Sequence, residues 1–204
     1  GVGSPAEISP TRVAQKLILK NGATLTATAV TDWTGTGLAV AQGSTGNVSG
    51  TFMLHDALTA LNVPAGSLLD MTGGSFRQAQ GVKAGFAVSG AGTVKFAMDN
   101  LSLIDGQITL NGAALEITGA GAWTRPLAGA SALTVSSSGL MSVSDSALAG
   151  FDGPITVAAG TLVLDSVSSI PDGRKVSTSG SGKLMLLDWT GFDAQKHMEG
   201  TANY

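Results

Sequence analysis

The chain has no cysteine among its 204 residues. Thiol catalysis, structural disulfides and cysteine-based zinc sites are thereby excluded. Charge is also scarce: Asp, Glu, Lys and Arg together make 12%, about half the usual quarter. The net charge is −3, and the 11 basic residues form nothing denser than Arg174-Lys175 and the spaced Lys16 and Lys20. Phosphate-driven nucleic-acid binding needs clustered Lys and Arg, so that class is set aside. Aromatics are only 5%, too few for a stacking platform on single strands. No run of ~18 apolar residues is present, so no helix is long and apolar enough to span a bilayer. Neither does a charged segment followed by an apolar one open the chain, so export would rely on a signal outside these residues.

What is abundant is glycine. Twenty-nine of them are about twice the usual share, without the Gly-X-Y period of collagen. With 43% hydrophobic residues and a mean hydropathy of +0.28, the chain has enough apolar material to bury a core.

Helical periodicity is nearly missing. One helix is expected over Asp56 to Asn62, N-capped by Asp56, and a short turn at Asp193 to Met198. Elsewhere apolar and polar residues alternate in pieces of four to seven, bounded by Gly, Asn, Asp or Ser, which is the strand pattern. These pieces begin at Lys16–Lys20, Ala23–Val30, Gly37–Ala41 and Gly50–Leu54. They continue through Ser67–Met71, Gly85–Ser89, Thr93–Met98, Leu101–Ile104, Gln107–Leu110 and Ala114–Thr118. The last are Ala132–Val135, Gly139–Val143, Ile155–Val157, Thr161–Leu164 and Lys183–Leu187. Pro64 and the Thr124–Gly129 stretch read as excursions between strands.

The fold class is therefore all-β, in a single domain over 1–204, with 1–12 and 193–204 as candidate caps. Internal repetition favours a parallel β-solenoid. Gly106–Ile117 resembles Gly153–Leu164, 47 residues on, or about two coils. Asp32-Trp33-Thr34-Gly35 is echoed by Asp188-Trp189-Thr190-Gly191. Gly followed by alternating aliphatics recurs at Gly92, Gly160 and Gly182. In such a solenoid aliphatic residues stack inward and Thr, Ser and Ala outward, and glycine turns the corners. Like charges stacked at ~4.8 Å would repel, which accounts for their scarcity. Coils of ~22 residues give roughly nine turns and a rod about 43 Å long. An antiparallel β-sandwich is the alternative, because Asn21-Gly22 and Asn111-Gly112 are also hairpin signals.

Ile155-Thr-Val-Ala-Ala-Gly-Thr-Leu-Val-Leu164, then Ser169-Ile-Pro171, then Val176-Ser-Thr-Ser-Gly-Ser-Gly-Lys-Leu-Met-Leu186 resembles the autotransporter passenger-associated β-strand repeat. The match covers about 32 residues, with a looser copy at Gly106–Ile117. The resemblance implies a right-handed β-helix, secreted or on the bacterial surface. It carries over no catalytic residues.

Several residues invite chemical readings. Asp99, Asp105 and Glu116, or Asp145 and Asp152, are the candidate carboxylate pairs for cleaving a polysaccharide, with Lys95 and Arg125 as the basic partners a lyase would need. Asp99 and Asp105 read better as turn residues. His55 and Asp56 are adjacent on an extended chain and point to opposite faces. His197 sits near a polar terminus. Thr72-Gly-Gly-Ser-Phe-Arg77 fails the calcium-binding β-roll pattern. Thr24, Thr26 and Thr28 share a strand face, as ordinary solvent-facing threonines do. Asn47-Val-Ser49 and Asn100-Leu-Ser102 match glycosylation sequons by chance, and Pro171–Arg174 reads as a turn. Trp33, Trp123 and Trp189 are the candidate contacts for a partner or for assembly, against a packing role at coil corners.

These readings converge on a non-enzymatic extracellular protein of the bacterial surface, adhesive or structural, that self-assembles into fibres or a layer. Its expected partners are further copies of itself or a surface, matrix or glycan ligand. No cofactor or metal is expected. The alternatives are a polysaccharide-acting β-helix enzyme and a carbohydrate- or receptor-binding module.

Overall fold

The computed structural model describes residues 12–13, 16–35, 37–170 and 175–199. The chain winds into a parallel β-solenoid of about eight turns. Every ladder among the described residues is parallel, apart from one isolated antiparallel bridge between Ser89 and Gly112. This excludes the antiparallel sandwich. Asn21-Gly22 and Asn111-Gly112 turn corners between one sheet and the other and do not close hairpins. Asn21 has a left-handed φ of 54°.

Each coil has three flat sides. The first belongs to a seven-stranded sheet containing Leu17–Leu19, Leu38–Val40, Leu58–Asn62, Gly85–Ser89, Ile108–Asn111, Leu127–Gly129 and Gly150–Phe151. The second and third belong to one thirteen-stranded sheet. Its long strands, Thr45–Leu54, Leu68–Gln78, Leu133–Val143 and Ile155–Ser166, run along both sides and bend between them. Register shifts in the pairing mark two of those bends, between Asn47 and Ser49 and between Val135 and Leu140.

The bends explain two glycines. Gly50 (φ +89°) would thrust a Cβ into the Ala27 carbonyl of the coil before. Gly160 (φ +73°) would bring one to 2.6 Å from the Gly139 oxygen and 2.7 Å from the Ser137 oxygen. An L side chain is disfavoured there both by the backbone conformation and by the close approach.

The core is a set of inward ladders. Leu69, Val94, Leu115, Leu133, Ile155 and Val176 stack along the second side, each paired with the next. All are buried. In the N-terminal half the core is aromatic. Trp33 meets Phe52 edge-on at 5.4 Å, Phe52 stacks on Phe76 at 6.0 Å, and Phe76 meets the edges of Phe86 and Phe96. Offset and edge-to-face pairs of this kind add stabilisation beyond the area they bury. The C-terminal half is filled by Val135, Val157, Leu162, Leu164 and Phe151.

Several details depart from the sequence reading. Leu58–Asn62 is a strand, not a helix, held between Leu38–Val40 and Gly85–Ser89. Asp56 therefore caps no helix; its carboxylate accepts the Gly35 N–H. Leu101–Ile104 is no strand: Leu101 ends a 3₁₀ turn at Met98–Leu101, and Leu103 makes a single parallel bridge to Arg77. Pro64 and Thr124–Gly129 belong to the coils: Val63 N–H donates to Ser89, and the Pro126 carbonyl accepts from Ile108. The likeness of Gly106–Ile117 to Gly153–Leu164 is not a structural repeat, since Ile108 lies in the seven-stranded sheet and Ile155 in the thirteen-stranded one. The turn at Asp193–Met198 is present as a helix over Ala194–His197, capped by the Asp193 carboxylate. Of the candidate caps at 1–12 and 193–204, residues 1–11 and 200–204 lie outside the described residues, as does the turn at 171–174.

Candidate functional site

Four assemblies of polar side chains stand out among the described residues, and each holds backbone or a neighbouring coil in place. At one corner, Asp32 Oδ1 accepts from His55 Nε2 at 2.9 Å across adjacent coils. His55 thus pairs with Asp32 and not with its neighbour Asp56, as expected from the alternation of an extended chain. On the second side, Lys95 lies in register between Asp70 and Glu116, with its Nζ 3.2 Å from Glu116 Oε1. The column alternates in sign, the one arrangement in which stacked charges attract.

The third assembly surrounds Asp145, in the short helix Asp145–Leu148. Its Oδ2 accepts the hydroxyls of Ser166 at 2.8 Å and Ser168 at 2.9 Å, and its Oδ1 accepts that of Ser169. Burial pushes this carboxyl up, but the Ser169, Ser166 and Ser168 bonds together outweigh it and hold the acid below its ordinary value. These serines come from the next coil, so the cluster latches one coil to another.

The fourth is Arg125, buried in the interior. Its Nη2 donates to the Leu101 carbonyl at 2.6 Å, its Nε reaches the Ile104 carbonyl at 3.4 Å, and its guanidinium lies 5.0 Å from the Trp123 ring centre. Leu101 and Ile104 belong to the coil side where a 3₁₀ turn replaces a strand. The arginine therefore supplies donors that a neighbouring strand would otherwise give. Burial lowers its proton affinity and nearby Asp105 partly restores it. Asp105 also accepts from Gln78 Nε2 at 2.8 Å, and Gln78 Oε1 in turn accepts the Asp105 and Ala84 N–H groups. No group of three or more His, Asp or Glu side chains suited to a metal ion is present among the described residues.

The tryptophans divide. Trp33 and Trp123 are core residues, 1% and 2% exposed; Trp123 Nε1 donates to the Arg125 carbonyl. Side chains so enclosed present no surface to a partner. Trp189 is 43% exposed and rests edge-on against Phe192 at 4.8 Å. Phe192 also lies beside the ring of buried His197, whose Nδ1 accepts the Asp193 N–H at 2.9 Å.

Trp189 follows the strand Lys183–Asp188. The strand pairs with Ile155–Ser166 on one edge only among the described residues. Its inward Leu184 and Leu186 are buried. Its outward Met185 and Leu187 are 47% and 62% exposed. Other outward apolar side chains stand singly on their strands, as at Ile18, Leu58 and Leu140. The sequence holds the signal, because Leu-Met-Leu-Leu breaks the apolar–polar alternation. Comparisons with protein-family models, with curated proteins and with solved structures found no match.

Proposed function

We propose that this chain is a non-enzymatic structural or adhesive module displayed outside a bacterial cell, of the passenger-associated repeat kind, which associates with further copies of itself through its open strand edges. The observation that carries this reading is the strand Lys183–Asp188, with one edge unpaired among the described residues and a row of exposed apolar side chains. Long apolar edges template the pairing of another strand. Support for the repeat kinship comes from register: Ile155–Val157 pairs with Val176–Thr178, and Thr161–Leu164 with Lys183–Leu186. The two motif copies thus occupy successive coils.

Negative-stain microscopy of the purified chain tests the proposal. Filaments or sheets are expected. Isolated short rods at every concentration would overturn the assembly reading, and release of reducing ends from polysaccharides would overturn the non-enzymatic one.

A further inference from the structure

The tripeptide Asn-Gly-Ala occurs twice, at Asn21–Ala23 and at Asn111–Ala113. Glycine after asparagine leaves the backbone nitrogen open to the side-chain amide carbon, because no Cβ stands in the way. The other asparagines among the described residues, Asn47, Asn62 and Asn100, precede Val48, Val63 and Leu101. Each of them donates its amide to a neighbouring coil. Both Asn-Gly pairs are exposed, but the fold holds them differently. The Gly22 N–H donates to the Thr45 carbonyl at 3.0 Å, the Gly22 carbonyl accepts Asn47 Nδ2 at 3.2 Å, and the Ala23 N–H closes the turn on Lys20 at 3.0 Å. The Gly112 N–H instead donates to a side chain, the Ser131 hydroxyl of the next coil, at 3.1 Å.

We infer that Asn111 is a site of spontaneous modification, where the Gly112 nitrogen converts the side-chain amide to a succinimide and then to an acid, and that the Ser131 hydroxyl restrains this step. The Gly112 nitrogen attacks Asn111 Cγ, and a five-membered ring closes through the new N–Cγ bond. The Cγ–Nδ2 bond breaks, and ammonia leaves with the proton that the glycine nitrogen gives up. Water then opens either ring carbonyl, which leaves an aspartyl or an isoaspartyl residue. The nitrogen must part from its acceptor before it attacks. A side-chain rotation releases it from an exposed hydroxyl, whereas the Gly22 nitrogen is released only when two coils separate. Either product places a carboxylate in the neutral outward column Asn62–Ser89–Asn111. The isoaspartyl product also lengthens the main chain by one carbon just before buried Ala113 and the strand Ala114–Thr118. The corner then no longer matches its register with Thr93–Ala97.

The test is to age the folded chain in mildly alkaline buffer, digest it, and follow the amide-to-acid mass change at each asparagine, with isoaspartate counted by enzymatic methylation. Because the two tripeptides are identical, both sites are expected to convert at similar rates in denaturant. A difference in the folded chain therefore comes from the fold. Asn111 is expected to convert severalfold faster than Asn21, with Asn47, Asn62 and Asn100 unchanged. Ser131→Ala is expected to raise the Asn111 rate severalfold and to leave Asn21 as it was. Equal rates at the two sites, a faster Asn21, or an Asn111 that stays intact while the denatured chain converts would each overturn the inference. An unchanged Asn111 rate in a folded Ser131→Ala chain would overturn the part given to the serine. If that variant unfolds, both of its sites convert at the denatured rate, and the ratio in the unaltered chain still decides.

Discussion

Arg125 donates from inside the solenoid to the Leu101 carbonyl, 2.6 Å away and 24 residues earlier in the chain. A buried guanidinium is costly to desolvate, yet here it mends a gap in the ladder. Arg125→Ala removes its donors from Leu101 and Ile104 and opens a void beside Trp123. The expected loss is about 2–4 kcal/mol, read as a lower urea midpoint with an unchanged m-value. Arg125→Lys is expected to recover part of it, since one ammonium cannot reach both carbonyls with the arginine's fork geometry.

The Asp145 latch predicts a pH effect. Its folded-state pKa is depressed, so its contribution is present above the unfolded-state value of about 3.9. It is lost as pH falls through the lower folded value. Asp145→Asn should be less stable at neutral pH and should lose less on acidification below about pH 4. Thermal melts of both proteins between neutral pH and about pH 3 check this; parallel curves would refute it.

The alternating column Asp70–Lys95–Glu116 predicts a salt-dependent defect. Lys95→Glu stacks three like charges on adjacent coils. The expected cost is about 1 kcal/mol at low ionic strength, diminishing in about 1 M salt as screening shortens to ~3 Å. A defect indifferent to salt would point to lost packing of the lysine stem instead.

Gly160→Ala places a methyl group beside the Gly139 and Ser137 carbonyls at a left-handed φ. We expect about 1–3 kcal/mol of destabilisation. The equivalent change at Gly22, also left-handed but with open space around its Cβ position, should cost only the conformational share, about 1–2 kcal/mol. Comparing the two melting temperatures separates strain from steric clash.

Much of the solenoid was legible in advance because alternation and corner glycine are local. Gly85–Ser89 and Ala114–Thr118 were readable to the residue. The helix expected over Asp56 to Asn62 is a strand in the structure: Leu58 and Leu61 stand three apart in a stretch with one β-branched residue, which suits a helix. Strands on both sides override that weak preference. The strand Lys183–Asp188 was only half legible: its apolar run was visible, but its pairing with Ile155–Ser166 was not.

The sequence by itself determined that this chain is built of short strands with small outward residues, sparse charge and glycine at sharp corners. Those features depend on side chains two to four positions apart. Only the tertiary structure decided which side of the coil each strand occupies, which tryptophan faces solvent, and which serines surround Asp145. Those relations join residues about 20 positions apart, through coils whose lengths vary. Thr93 and Ala114 are 21 residues apart, Leu115 and Leu133 only 18, and Leu68 and Thr93 as many as 25. A fixed sequence period drifts out of register over such coils, and stacking of the actual side chains sets it.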